Sequence, residues 1–126
     1  MTKFCLKCPV TIQLMLLMVL PVAGCGQDLA ALKETGARIY TDDEGSVERI
    51  FLNKTDITDS GLKYLRGLTS LKELDLSSTQ ITDAGLEHLK NLTNLELLYL
   101  QKTQITGTGF VHLKGLTNLK ELNLMQ

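Results

Sequence analysis

Cys25 follows the small residues Ala23 and Gly24 at the end of the apolar run Val10–Val22. A thiol at such a boundary can be alkylated or can stay free and oxidisable. Cys5 and Cys8 form a C-x-x-C, but metal or redox chemistry there needs partners that the mature chain lacks, and the pair is expected to leave with the N-terminal signal. His88 and His112 lie 24 residues apart; Tyr64 fills the same column one period earlier, and no third ligand is evident, so solvated outer-face histidines are expected rather than a metal site. G-x-S-x-G, H-E-x-x-H and G-x-x-x-x-G-K-[ST] are all absent. The expectation is therefore no catalytic residue, no metal and no cofactor, and a chain that is not an enzyme.

The N-terminal segment has two lysines, Lys3 and Lys7, then about 13 mostly apolar residues, then small residues before Cys25. That is the layout of a secretory signal, and it is short of the roughly 20 residues a membrane-spanning helix requires. The tetrapeptide Val22–Cys25, "VAGC", resembles the lipobox of bacterial lipoprotein precursors. The resemblance implies removal of 1–24, lipidation of Cys25 as the new N-terminus, and an extracytoplasmic protein anchored to a membrane, in the periplasm or on the cell surface. Stable anchoring calls for two or more acyl chains. The alternative is an ordinary signal peptide that leaves Cys25 as a free thiol. Without 1–24 the chain has 11 basic against 14 acidic residues, a net of -3, which argues against a nucleic-acid partner.

Beyond residue 46 the chain repeats itself every 24 residues, as 47–70, 71–94, 95–118 and a partial 119–126. "TDITDSGL" starts at Thr55, "TQITDAGL" at Thr79 and "TQITGTGF" at Thr103. A period of 20 to 29 with L-x-x-L-x-L marks a stacked solenoid in which each unit opens with a short strand. Leu71, Leu74 and Leu76 and their counterparts face the core. Ile57, Ile81 and Ile105 turn the chain inward, and Leu86, Leu89 and Leu92 recur at spacing three, as in a short helix or helical turn on the outside. Asp59 and Asp83, with Thr58, Thr82 and Thr106, are expected to cap the starts of those helices. Gly61, Gly85 and Gly109 are expected where coils crowd, and Gly67, Asn91 and Gly115 at left-handed helix ends.

The pattern L-x-x-L-x-L-x-x-T-x-I-T-D-x-G-L resembles the cysteine-containing subfamily of leucine-rich repeats, over 47–126. It implies an α/β fold, a leucine-rich-repeat solenoid with a parallel sheet on the concave face and short helices on the convex face. Thr55, Thr79 and Thr103 hold the column occupied by cysteine in the eukaryotic members, and no F-box segment precedes the repeats, so a ubiquitin-ligase role does not carry over. Residues 25–46 read as a lipidated N-terminus, a short helix over 28–35 and a strand over 37–41 that pairs antiparallel with 47–52 and covers the sheet edge.

In such a sheet the side chains between the core leucines face outward. Across the strands these are Arg49, Glu73, Leu97 and Glu121, then Phe51, Asp75, Tyr99 and Asn123. Phe51 and Tyr99, two strand spacings or roughly 10 Å apart, stand beside charges. Arg49, Phe51, Glu73, Asp75 and Tyr99 are therefore the candidate residues for holding a protein or a glycan. Glu48, Lys72, Glu96 and Lys120 form a column of alternating sign that supports the sheet. The strand at Leu119–Met125 has no capping unit after it. A partner, another copy pairing at that edge as an assembly protein, or a truncated repeat fragment with no function of its own are the readings this leaves; the oligomeric state is open.

Overall fold

The computed structural model describes residues 25–125, and side chains from Leu29 onward. The segment 1–24, with Cys5 and Cys8, and the thiol of Cys25 lie outside the described residues. Among the described residues no helix is long and apolar enough to cross a membrane.

The elements are α1 (Cys25–Glu34), β1 (Arg38–Thr41), β2 (Val47–Phe51), β3 (Glu73–Asp75), β4 (Leu97–Tyr99) and β5 (Glu121–Asn123), with outer helices at Asp59–Leu65, Asp83–Leu89 and Thr108–Gly115. They form one sheet in the order β1-β2-β3-β4-β5. The first pair is antiparallel and the others parallel, with Ile50, Leu74, Leu98 and Leu122 in register. This is the sheet the 24-residue period implies, each coil adding one strand beside the last.

Helix α1 starts three residues earlier than the sequence reading placed it. It ends as Gly36 takes φ +90° and the Thr35 hydroxyl donates to the Leu32 carbonyl. Leu32 is fully buried in the core. Asp42 closes the hairpin between β1 and β2, its carboxylate accepting from the amides of Glu44 and Ser46.

Leu71, Leu74, Leu76, Leu95 and Leu98 have no exposed surface, and Ile57, Ile81 and Leu100 almost none. In the last strand Leu119 and Leu122 are half-buried and Leu124 is 38% exposed, because among the described residues no coil packs over them. The outer helices are 3-10 rather than α. A 3-10 helix has three residues per turn, so leucines at spacing three stack on one side. That is why Leu62 and Leu65, and Leu86 and Leu89, are buried together.

The aspartates bind in the opposite direction to the one expected. Rather than capping its own helix, Asp59 accepts from the amide and hydroxyl of Thr82, one coil further on. Asp83 does the same for the third coil, accepting from the amide and hydroxyl of Thr106 at 2.9 and 2.6 Å and from the amides of Gly107 and Gly109 at 3.0 and 2.8 Å. Only Thr82 also accepts from its own helix, at Ala84. A carboxylate that receives four such bonds is held well below the usual range, the Thr106 hydroxyl contributing most and the Gly109 amide next. A Cβ on Gly109 would lie 2.6 Å from the Asp83 carbonyl oxygen, so the crowding expected in this column comes from the coil before.

Of the expected left-handed helix ends, only Gly67 has positive φ; Asn91 and Gly115 do not. The left-handed positions recur instead at Lys54, Ser78 and Lys102, with φ of 60°, 56° and 52°, three residues past the end of each strand. There the following threonine closes the turn: the hydroxyls of Thr55, Thr79 and Thr103 donate to the carbonyls of Leu52, Leu76 and Leu100. Those bonds satisfy the threonine column without sulfur. Asn94 and Asn118 add a further link between coils, each donating to the threonine carbonyl 25 residues earlier.

Candidate functional site

The parallel register sets Arg49, Glu73, Leu97 and Glu121 in one row across the open face of the sheet and Phe51, Asp75, Tyr99 and Asn123 in the next. All five candidate residues therefore share one face, with Phe51 and Tyr99 two strands apart. Strand β1 extends both rows, since Tyr40 pairs with Arg49 and Arg38 with Phe51. These two lie outside the repeat period and were missed in the sequence. The signal available was the alternation in "RIYT", which turns Arg38 and Tyr40 to the same face once the strand pairs antiparallel with β2.

At the β1 side the face is basic and aromatic. The rings of Tyr40 and Phe51 meet edge to face with centroids 5.6 Å apart. The Arg38 guanidinium lies 5.7 Å from the Phe51 centroid and donates to the Asn53 side chain at 3.1 Å, while the Arg49 guanidinium lies 5.1 Å from the Tyr40 centroid. Stacked cations hold flat rings in place at modest cost in mobility. Phe51 thus contacts Tyr40, not Tyr99.

Towards β5 the face turns acidic. Burial raises the Tyr99 phenol above its ordinary range, and the charges of Glu121, Glu73 and Asp75 add to that. One oxygen of Asp75 accepts from the amide and hydroxyl of Ser77. Among the described residues the ion pairs are Lys72–Glu48, Lys90–Glu87 and Lys120–Glu96, and none engages Arg49, Glu73, Asp75 or Glu121. The charge ladder beside the face thus closes in two pairs. Glu48 raises the Lys72 ammonium through a hydrogen bond, and Lys120 lowers the Glu96 carboxyl in the same way.

On the outer side His88 is half-buried rather than solvated, and its Nδ1 has no hydrogen-bond partner. Burial first, and the charge of Arg66 second, lower its pKa. Among the described residues no group of three or more His, Cys, Asp or Glu side chains is placed to hold a metal ion.

No curated protein matches the chain. A model of the leucine rich repeat family matches residues 45–105 and again 69–126. Those spans together cover more than half of the sequence and coincide with the stacked coils, so the chain belongs to the leucine-rich-repeat family.

Proposed function

We propose that this is a lipid-anchored, extracytoplasmic leucine-rich-repeat protein that holds another protein against its concave sheet. Leucine-rich repeats generally mediate protein–protein interaction and are typically not enzymes. The observation that carries the reading is the open face itself. It presents the Arg38–Tyr40–Arg49–Phe51 cluster at one end and Tyr99 among three carboxylates at the other, on a sheet tied by backbone bonds in every coil. Aromatic and arginine side chains on a rigid support are the commonest anchors of protein interfaces. Charges of both signs beside the rings favour a protein over a glycan. α1 and the β1–β2 hairpin serve as the N-terminal cap. The anchor rests on "VAGC" behind an apolar run too short to span a bilayer.

The test is crosslinking in membranes from cells that make the protein, comparing wild type with the double variant Phe51→Ala, Tyr99→Ala. Loss of the crosslinked partner is expected; a partner retained in full refutes the concave-face reading. Intact mass of wild type and Cys25→Ser tests the anchor, which requires a chain starting at Cys25 with a lipid increment that the variant lacks.

A further inference from the structure

The charges of the open face are arranged so that the face complements itself. We propose that a second copy of this chain docks on it, sheet face against sheet face, about a two-fold axis that runs along the strands between β2 and β3. The proposal rests on the concave-face reading above and names one occupant for that face.

The register decides where such an axis can lie. A two-fold parallel to the strands and midway between β2 and β3 sets β2 over β3 of the second copy, and β1 over its β4. Arg49 then faces Glu73 of the second copy, and Tyr40 faces Leu97 of the second copy. Arg38 faces the ring of Tyr99 of the second copy. Because Arg38 already lies over Phe51, it is also beside Asp75 of the second copy, which faces Phe51. Each contact occurs twice by symmetry, as an isologous interface demands.

Other axes match fewer of the charges. One running along β3 sets Glu73 against Glu73 and Asp75 against Asp75. One across the strands sets Glu73 against Asp75. One between β3 and β4 matches Arg49 with Glu121 but sets the Glu73 carboxylate against Leu97 and leaves Arg38 and Tyr40 of β1 opposite no strand. The chosen axis keeps the two strand sets parallel, as in aligned sheet packing at about 10 Å, a gap that arginine and tyrosine side chains span. Among the described residues, the opposite charges it brings together have no ion-pair partner within their own chain. The face is a few strands wide, so the contact belongs to the small class of interfaces, below about 1,200 Å² in total, and is weak and salt-sensitive.

Sedimentation equilibrium on the protein as isolated from cells, from about 10 micromolar to several hundred, suits a contact of that class. Four samples are compared: wild type, Arg49→Glu, Glu73→Arg, and an equimolar mixture of the two variants. Any association through the apolar N-terminal segment is common to all four and drops out of the comparison. Arg49→Glu sets Glu against Glu twice, and Glu73→Arg sets Arg against Arg twice. Each is expected to weaken the dimer about tenfold or more. The mixture places Glu against Arg at both positions and is expected to return to wild-type strength. Raising the salt from about 0.05 to about 0.5 M should weaken the wild-type dimer to a similar degree, a readout that needs no variant.

A wild type that stays monomeric overturns the proposal, as does a mixture that is no stronger than its components. A dimer indifferent to both substitutions and to salt overturns it in favour of another contact, such as pairing at β5. If wild type is monomeric while Phe51→Ala with Tyr99→Ala still abolishes partner crosslinking, the concave-face reading stands and only the second copy is refuted.

Discussion

A glycine series measures how closely the coils approach. Four glycines differ in what an added methyl group would meet. At Gly109 it meets backbone, the Asp83 carbonyl oxygen at 2.6 Å and the Asp83 Cα at 2.9 Å. At Gly85 it meets the Asp59 Oδ1 at 2.5 Å and the end of Leu62 at 2.9 Å, and that carboxylate is itself tied to Thr82. At Gly61 it meets only the Ile57 side chain, at 2.7 Å, and at Gly115 only the Lys90 carbonyl oxygen, at an ordinary 3.4 Å. None of the four has positive φ, so alanine brings no backbone strain and the difference is packing. Backbone cannot rotate aside as a side chain can. Gly109→Ala must therefore push the third outer helix off the second and stretch the bond from the Gly109 amide to Asp83. Overpacking of this kind costs about 2 to 3 kcal/mol, which lowers the thermal midpoint by roughly 8 to 20 °C in a domain of this size. Gly115→Ala is expected to be neutral or stabilising by up to about 1 kcal/mol, through the unfolded chain. Urea and thermal unfolding followed by far-ultraviolet circular dichroism should rank the losses as Gly109, Gly85, Gly61, Gly115. Equal midpoints for Gly109→Ala and Gly115→Ala would refute the close approach of the second and third coils.

Leu74→Ala, at a fully buried position in β3, should cost about 3 to 4 kcal/mol in urea unfolding, as for other core leucines. Thr79→Val keeps the shape of a residue that is 4% exposed but removes its bond to the Leu76 carbonyl, so a loss of about 1 kcal/mol is expected. Because the Asp83 carboxyl is lowered in the folded protein, its contribution is present above the ordinary carboxylate range and is lost as the pH falls towards its folded value. Asp83→Asn should therefore flatten the acid limb of a stability-against-pH curve. The lowered His88 acts the same way at milder pH: below about 6.5 the unfolded chain takes up the proton first, and stability falls. His88→Gln should remove that slope, and an unchanged slope between about pH 6.5 and 5 would show that other groups carry it.

The core columns were readable because a leucine every 24 residues can only repeat one environment, and spacing three already matched the turn of a 3-10 helix. The direction of the aspartate bonds was not readable. Asp59 opens its own helix in sequence, and only the stacking brings Thr82 within reach of it. The left-handed residues after each strand were hidden because Lys54, Ser78 and Lys102 are not the types that prefer that conformation; the bond from each following threonine holds them there. On the open face, the repeat period located Arg49, Phe51, Glu73, Asp75 and Tyr99, but a search by period cannot find Arg38 and Tyr40, which belong to a strand that occurs once.

The forward reach of the aspartates makes the number of coils and their order unequal quantities. Excising 71–94 would bring Asp59 to the amide and hydroxyl of Thr106, the same kind of donors it now meets in Thr82, so the shortened chain keeps its seam. Exchanging the second and third coils would instead put Gly107, which fills the aspartate column of the third, ahead of Thr82, and that junction would have no carboxylate to bind. Duplication or loss of a unit that carries its aspartate is therefore open to a gene of this kind, while moving the third coil ahead of another is not.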